Sequence, residues 1–120
     1  MYEPIYETKE RKPGMNKELY IPLYEWLIGG SRIGGTYNPY YGSQTEHPEE
    51  AAWGQKIFNY TIYIEKIDDT EYLRAAVWSG LRAFSAVDEA ELTRKTFECE
   101  AESLPDVKVW LTEQRDAFFA

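Results

Sequence analysis

His47 is the single histidine of the chain and Cys99 the single cysteine. Both side chain types do chemistry near neutral pH. A histidine beside Glu46, Glu49 and Glu50 could offer nitrogen and carboxylate ligands to a metal, and a histidine with an activated cysteine and an orienting carboxylate makes a nucleophilic site. Neither chemistry is expected here. His47 stands next to Pro48 in a glycine-rich stretch without recurrent ligand spacing. Cys99 is expected on one strand face with Phe97 and Ala101, a setting in which a free cysteine behaves as a small buried hydrophobe. The run Gly29-Gly30-Ser31-Arg32-Ile33-Gly34-Gly35-Thr36 has glycines as phosphate-cradling loops do, but lacks both the Gly-Lys-Ser/Thr and the Gly-x-Gly-x-x-Gly patterns in their strand-to-helix context. No catalytic residue, metal or cofactor is assigned, and a non-enzymatic protein is expected.

Two other sets of residues suit binding. On a strand, Glu98, Glu100 and Glu102 would point to one face at intervals of about 6.6–6.8 Å, comparable to successive phosphates of a nucleic-acid strand. Such a row could imitate a nucleic-acid backbone towards a basic groove. It would equally suit a solvated sheet edge that charge protects from pairing. The stretch Tyr37-Asn38-Pro39-Tyr40-Tyr41-Gly42 combines amphipathic aromatics with turn residues, the composition of binding loops. Its tyrosines either present a contact surface or fold back over the core.

The elements that must position these residues follow from periodicity. Residues 1–15, ending in Pro13-Gly14, form a flexible N-terminal arm. A single domain spans 16–120. From Asn16, a possible N-cap, Leu19, Leu23, Trp26 and Leu27 recur at helical spacing up to a stop at Gly29-Gly30, with Pro22 in the first regular turn. A long Gly/Tyr-rich loop is expected over 29–55. Strict alternation predicts a strand over 57–66, with Phe58, Tyr60, Ile62 and Ile64 on one face. Residues 72–87 read either as a helix sharing Leu73, Ala76, Val77 and Leu81 on a face, or as strands Leu73–Trp78 and Leu81–Val87 about a Ser79-Gly80 turn. The strands are preferred, because Gly80 weakens a helix and the connection Ile67–Thr70 suits a hairpin. Thr93–Ala101 alternates as a further strand, with a helix as the rival. Ser103, Pro105 and Asp106 open a final helix with Val107, Trp110, Leu111 and Phe118 as its apolar stripe. The fold class is therefore α+β: a small antiparallel sheet of three or four strands packed against an N-terminal and a C-terminal helix.

The composition narrows the function. The 120 residues carry a net charge of −8, with aromatics at 16%. Residues 61–120 hold 13 acidic and 7 basic side chains, against 8 and 6 in residues 1–60, so the negative charge concentrates in the second half. That sign repels phosphates, and direct nucleic-acid binding is not expected. A protein partner with a basic groove is. One cysteine allows no internal disulfide, the start lacks the pattern of a signal peptide, and no apolar run reaches membrane length, so a cytoplasmic protein is expected.

The helix–strands–helix order is similar to the double-stranded-RNA-binding fold. That family's basic cluster at the start of the last helix is missing, however, where this chain reads Ser103-Leu104-Pro105-Asp106-Val107-Lys108. In size, charge and aromatic content the whole chain resembles the small acidic proteins of phages and mobile elements, including anti-CRISPR and antirestriction inhibitors. The resemblance implies an inhibitor that occupies the basic groove of a host nucleic-acid-binding defence protein by nucleic-acid mimicry, with Glu98, Glu100, Glu102, Tyr37, Tyr40 and Tyr41 as contacts. The alternatives are a small-molecule or nucleotide binder using the Gly/Tyr-rich loop, and an accessory subunit of a larger assembly.

Overall fold

Alternation of apolar and polar side chains dictates the central hairpin, and the rest of the chain packs against it. The computed structural model describes residues 18–32, 37–50 and 54–120. Its elements are helix α1 (Tyr24–Arg32), strands β1 (Tyr40–Thr45), β2 (Ile57–Ile67), β3 (Thr70–Ser79) and β4 (Thr93–Glu98), and helix α2 (Leu104–Phe119). The strands form one antiparallel sheet in the order β1-β2-β3-β4, so the α+β class holds, with four strands. Phe58, Tyr60, Ile62 and Ile64 of β2 lie on the inner face with Leu73, Ala75 and Val77 of β3, and Val107, Leu111 and Phe119 of α2 cover them together with Leu19 and Leu27. Each Leu or Phe fully buried in this way contributes about 1.5–3 kcal/mol, which fastens helices that short sequences could not sustain alone.

Helix α2 buries Val107, Leu111, Arg115 and Phe119, spaced one turn apart. Trp110 and Phe118 of the expected stripe lie only at the core's margin. The Ser103 side chain makes no capping bond, because its backbone is already helical (φ −78°, ψ −19°) at the end of a 3-10 turn, Ala101–Ser103, that winds into α2.

Three expected boundaries are corrected. The N-terminal helix does not run from 16 to 29: residues 18–23 are not helical, and α1 starts after Pro22 and passes through Gly29-Gly30. Proline disfavours helix in the residue before it, which delays the start. Asn16 and the expected arm over 1–15 lie outside the described residues. The stretch 29–55 is not one long loop, since β1 lies within it and pairs from Tyr40↔Ile62 to Thr45↔Ile57. Leu81–Val87 is not a strand. Gly80 takes a φ of +99°, open to glycine at no steric cost, and the chain leaves the sheet to form short 3-10 turns at Phe84–Ala86 and Glu89–Glu91.

That departure closes the outer face. Phe84 returns across the sheet onto Trp78, Tyr63 and Tyr41, with ring centroids 5.3, 5.8 and 6.3 Å away. Beneath it Thr61, Ala76 and Trp78 are buried. Among the described residues no helix is long and apolar enough to cross a membrane.

Candidate functional site

The hairpin between β2 and β3 turns through Asp68 and Asp69 alone, with Ile67 paired to Thr70. Both aspartates have positive φ, 51° and 69°, as a two-residue turn of the type I′ class demands. Two pairs along, the register places Glu65 opposite Tyr72 and Tyr72 opposite Glu98, so the three form a row across the outer face. Glu71 and Glu100 lie at the same end of the sheet. Asp68, Asp69, Glu71, Glu98 and Glu100 are all exposed, and none is ion-paired with another described residue. Of the basic side chains on these strands, Arg74 binds Glu65 at 2.7 Å and Arg94 pairs with Glu89, while the exposed Lys66 stands opposite Glu71 in the register; Arg82, at the far end of the sheet, pairs with Glu91. Arg82 holds the Glu91 carboxyl below its usual range. Five exposed carboxylates against the one lysine, Lys66, leave this end of the sheet with an excess of negative charge.

This is not the row expected along one strand. Strand β4 stops at Glu98, the Glu100 N–H donates to the Glu98 carbonyl at 2.9 Å, and Glu102 sits in the 3-10 turn. The backbone must tighten there to enter α2, so the extended spacing is lost. Glu98 and Glu100 remain at the acidic end, joined by Asp68, Asp69 and Glu71. Acidic residues in a turn were legible, but their meeting with Glu98 depends on the register of β3 with β4.

Tyr24 of α1 anchors this end. Its hydroxyl donates to the Cys99 carbonyl at 3.2 Å and lies 3.5 Å from the Cys99 Sγ. Its pKa is pushed up to about 12, first by the hydrogen bond with Cys99, then by burial and by the negative field of Cys99, Glu71 and Glu100.

The structure splits the tyrosines between faces. Tyr40 is on the inner face, among Tyr20, Trp26 and Tyr60. The Tyr60 hydroxyl donates to the Tyr20 carbonyl at 2.9 Å, and burial raises its pKa far above the usual phenol value. Tyr41 is on the outer face and 54% exposed, lining with Tyr37 and Phe84 a small groove of about 280 Å³. A larger groove of about 520 Å³ adjoins it, walled by Tyr41, Trp78 and Phe84 with Ser43 and Asn59 at its base. The Asn59 amide donates to the Gly80 carbonyl at 2.7 Å. Trp78 and Phe84 carried no distinguishing sequence signal, because ring contacts across the sheet assemble this wall.

His47, Glu49 and Glu50 bring possible ligand atoms within 4.8 Å of one another and are, among the described residues, the set that could hold a metal ion. They occupy a surface turn, with His47 and Glu49 side chains 42% and 60% exposed. The turn is fastened by two bonds between Gln55 and the His47 backbone, 3.0 and 3.1 Å. His47 and Cys99 stand on separate elements, the turn after β1 and the segment after β4. No family model, curated protein or solved structure matches this chain.

Proposed function

We propose that the protein is a non-enzymatic binding protein that presents the acidic end of its sheet to a basic, nucleic-acid-binding partner and excludes nucleic acid from that partner's groove. The observation that carries this is the unpaired set Asp68, Asp69, Glu71, Glu98 and Glu100, brought together from a turn and two strand ends. Two of these carboxylates occupy left-handed backbone positions, where non-glycine residues cost about 1–2 kcal/mol each, less for Asp. Keeping acids rather than glycine there supports a use for the charge. In the proposed setting the partner is a defence complex of the CRISPR-effector or restriction type, and the inhibitor acts in the cytoplasm.

The test titrates the purified protein into such complexes holding labelled DNA. At least one should release its DNA, and the triple variant Glu71→Gln, Glu98→Lys and Glu100→Lys, which avoids setting a second lysine opposite Lys66, should abolish the release while leaving the melting temperature nearly unchanged, since exposed substitutions rarely alter stability. Release that persists undiminished in the triple variant would overturn the proposal.

A second reading, a small-molecule binder, is favoured by the outer-face groove, whose aromatic wall and polar base suit an uncharged planar ligand. Tyr41→Ala should then cut the thermal stabilisation given by a nucleoside, and no stabilisation by any nucleoside would dismiss that reading.

A further inference from the structure

Beside β4, on the inner side of the sheet, α2 carries Asp106, Val109, Trp110 and Glu113 at the i, i+3, i+4, i+7 spacing that shares one helical face. With Lys95 and Phe97 of β4 these residues line a groove of about 450 Å³. Val109 is 57% exposed and Trp110 half-buried, so the groove has an apolar centre in contact with water. Asp106 and Glu113 bracket that centre, and neither is ion-paired with another described residue. Strand β4 is an edge of the sheet, and its outward backbone groups are a template for one more strand. Lys95 lies on the inner face with its ammonium 5.6 Å from the centroid of the Phe97 ring. A cation already rests where the groove's chemistry would attract one.

We infer that this groove and the open edge of β4 together receive an extended basic segment of the partner protein, which adds a strand to the sheet. The inference rests on the reading of the chain as an acidic binder and names how one part of the partner would be held. Backbone bonds to an edge supply affinity, and pockets for alternate side chains supply specificity. Seven helical residues span about 10.5 Å, the separation along α2 of Asp106 and Glu113. Alternate residues of an extended segment repeat every 6.6–6.8 Å or so, which puts positions i and i+4 about 13 Å apart, within reach of the two carboxylates for long flexible side chains. The position between them faces Val109 and Trp110. The segment that fits therefore reads basic-x-apolar-x-basic. A second copy of this chain fits worse, because it would bring the same carboxylates and the same net charge to the seam. Lys95 acts as a guard that only a segment able to displace it from Phe97 passes.

The test compares two capped peptides of one composition, Gly-Arg-Thr-Leu-Thr-Arg-Gly and the rearranged Gly-Thr-Arg-Arg-Leu-Thr-Gly, by amide and indole chemical shifts of the full chain. The alternating peptide should shift the amides of Thr93–Phe97 and the Trp110 indole, with the rearranged one binding at least about tenfold more weakly. Asp106→Asn with Glu113→Gln should weaken the alternating peptide by a similar factor, and Lys95→Gln should tighten it. Equal binding of the two peptides, or shifts confined to Asp68–Glu71 and Glu100, would overturn this inference and leave the acidic-binder reading standing. Absence of binding by both peptides would overturn it as well, while release of DNA from a whole defence complex judges the broader reading separately.

Discussion

Tyr60 lies across the strand pair on Gly42, so close that a Cβ built on Gly42 would stand 2.5 Å from the Tyr60 Cζ. The ring fills the space that any side chain at 42 would need, and it is fixed there by its hydroxyl bond to Tyr20. Gly42→Ala is therefore expected to destabilise by about 1–3 kcal/mol, the usual cost of overpacking. Denaturant unfolding of Gly42→Ala, Tyr60→Leu and the double variant checks this: the double variant should be less destabilised than the sum of the two. Strict additivity would mean that the ring moves aside freely.

The Asp68-Asp69 turn gives an opposite expectation. Asp69→Gly should stabilise by roughly 0.5–1 kcal/mol, because glycine takes a positive φ without steric cost and a like charge is removed from the acidic end. Asp69→Ala removes the same charge and keeps the left-handed strain, so it should not stabilise. Thermal melts of the pair separate backbone from charge, and equal gains in both would assign the whole effect to electrostatics.

Alkaline titration should weaken the fold. Tyr24 ionises at about 12 in the folded protein against about 10 when unfolded, and Tyr60 is shifted in the same direction. Above the unfolded value the unfolded chain releases protons that the native state retains, so this contribution is whole below about pH 10 and is lost as pH rises towards 12. Tyr24→Phe should flatten that decline, as measured by melting temperature across this range. Cys99→Ala, in contrast, should leave the fold intact, because the bond from Tyr24 to the backbone carbonyl survives it.

The protein itself should bind neither duplex DNA nor RNA at physiological salt. Its net charge is −8 and its sheet arginines are already tied to Glu65 and Glu89, so little counterion release is available. A gel-shift titration at two salt concentrations checks this, and micromolar binding with a steep salt slope would contradict it.

The central hairpin was legible because Phe58, Tyr60, Ile62 and Ile64 alternate without interruption and Asp68-Asp69 mark a turn. Helix α2 was legible from Pro105 and the apolar spacing that follows. Strand β1 was not. Gly42 and Pro39 read locally as loop, and the strand exists because Tyr60 covers the glycine from across the pair. Leu81 and Phe84 read as strand residues because their apolar character is real, yet the chain leaves the sheet at Gly80, so that Leu81 is exposed and Phe84 lies over the outer face instead of beside β3. The acidic residues were half legible: Glu98 and Glu100 do reach one charged end, but alternation could not reveal that residues 99–103 must coil to start α2, nor that Asp68, Asp69 and Glu71 would join them.

The Arg115 guanidinium, in the second half of α2, belongs to a residue only 4% exposed and donates to Gln44 of β1 at 2.9 Å. This bond ties the first strand of the sheet to the last helix, across 71 positions of sequence. As the chain emerges from the ribosome, β1 can pair with β2 early, but the latch that holds its far end arrives only with residues 104–119. Contacts of such separation form late and slow the approach to the native state. Until α2 docks, the apolar inner face of the sheet stands uncovered to other nascent chains, and the arrival of Arg115 at Gln44 marks its covering.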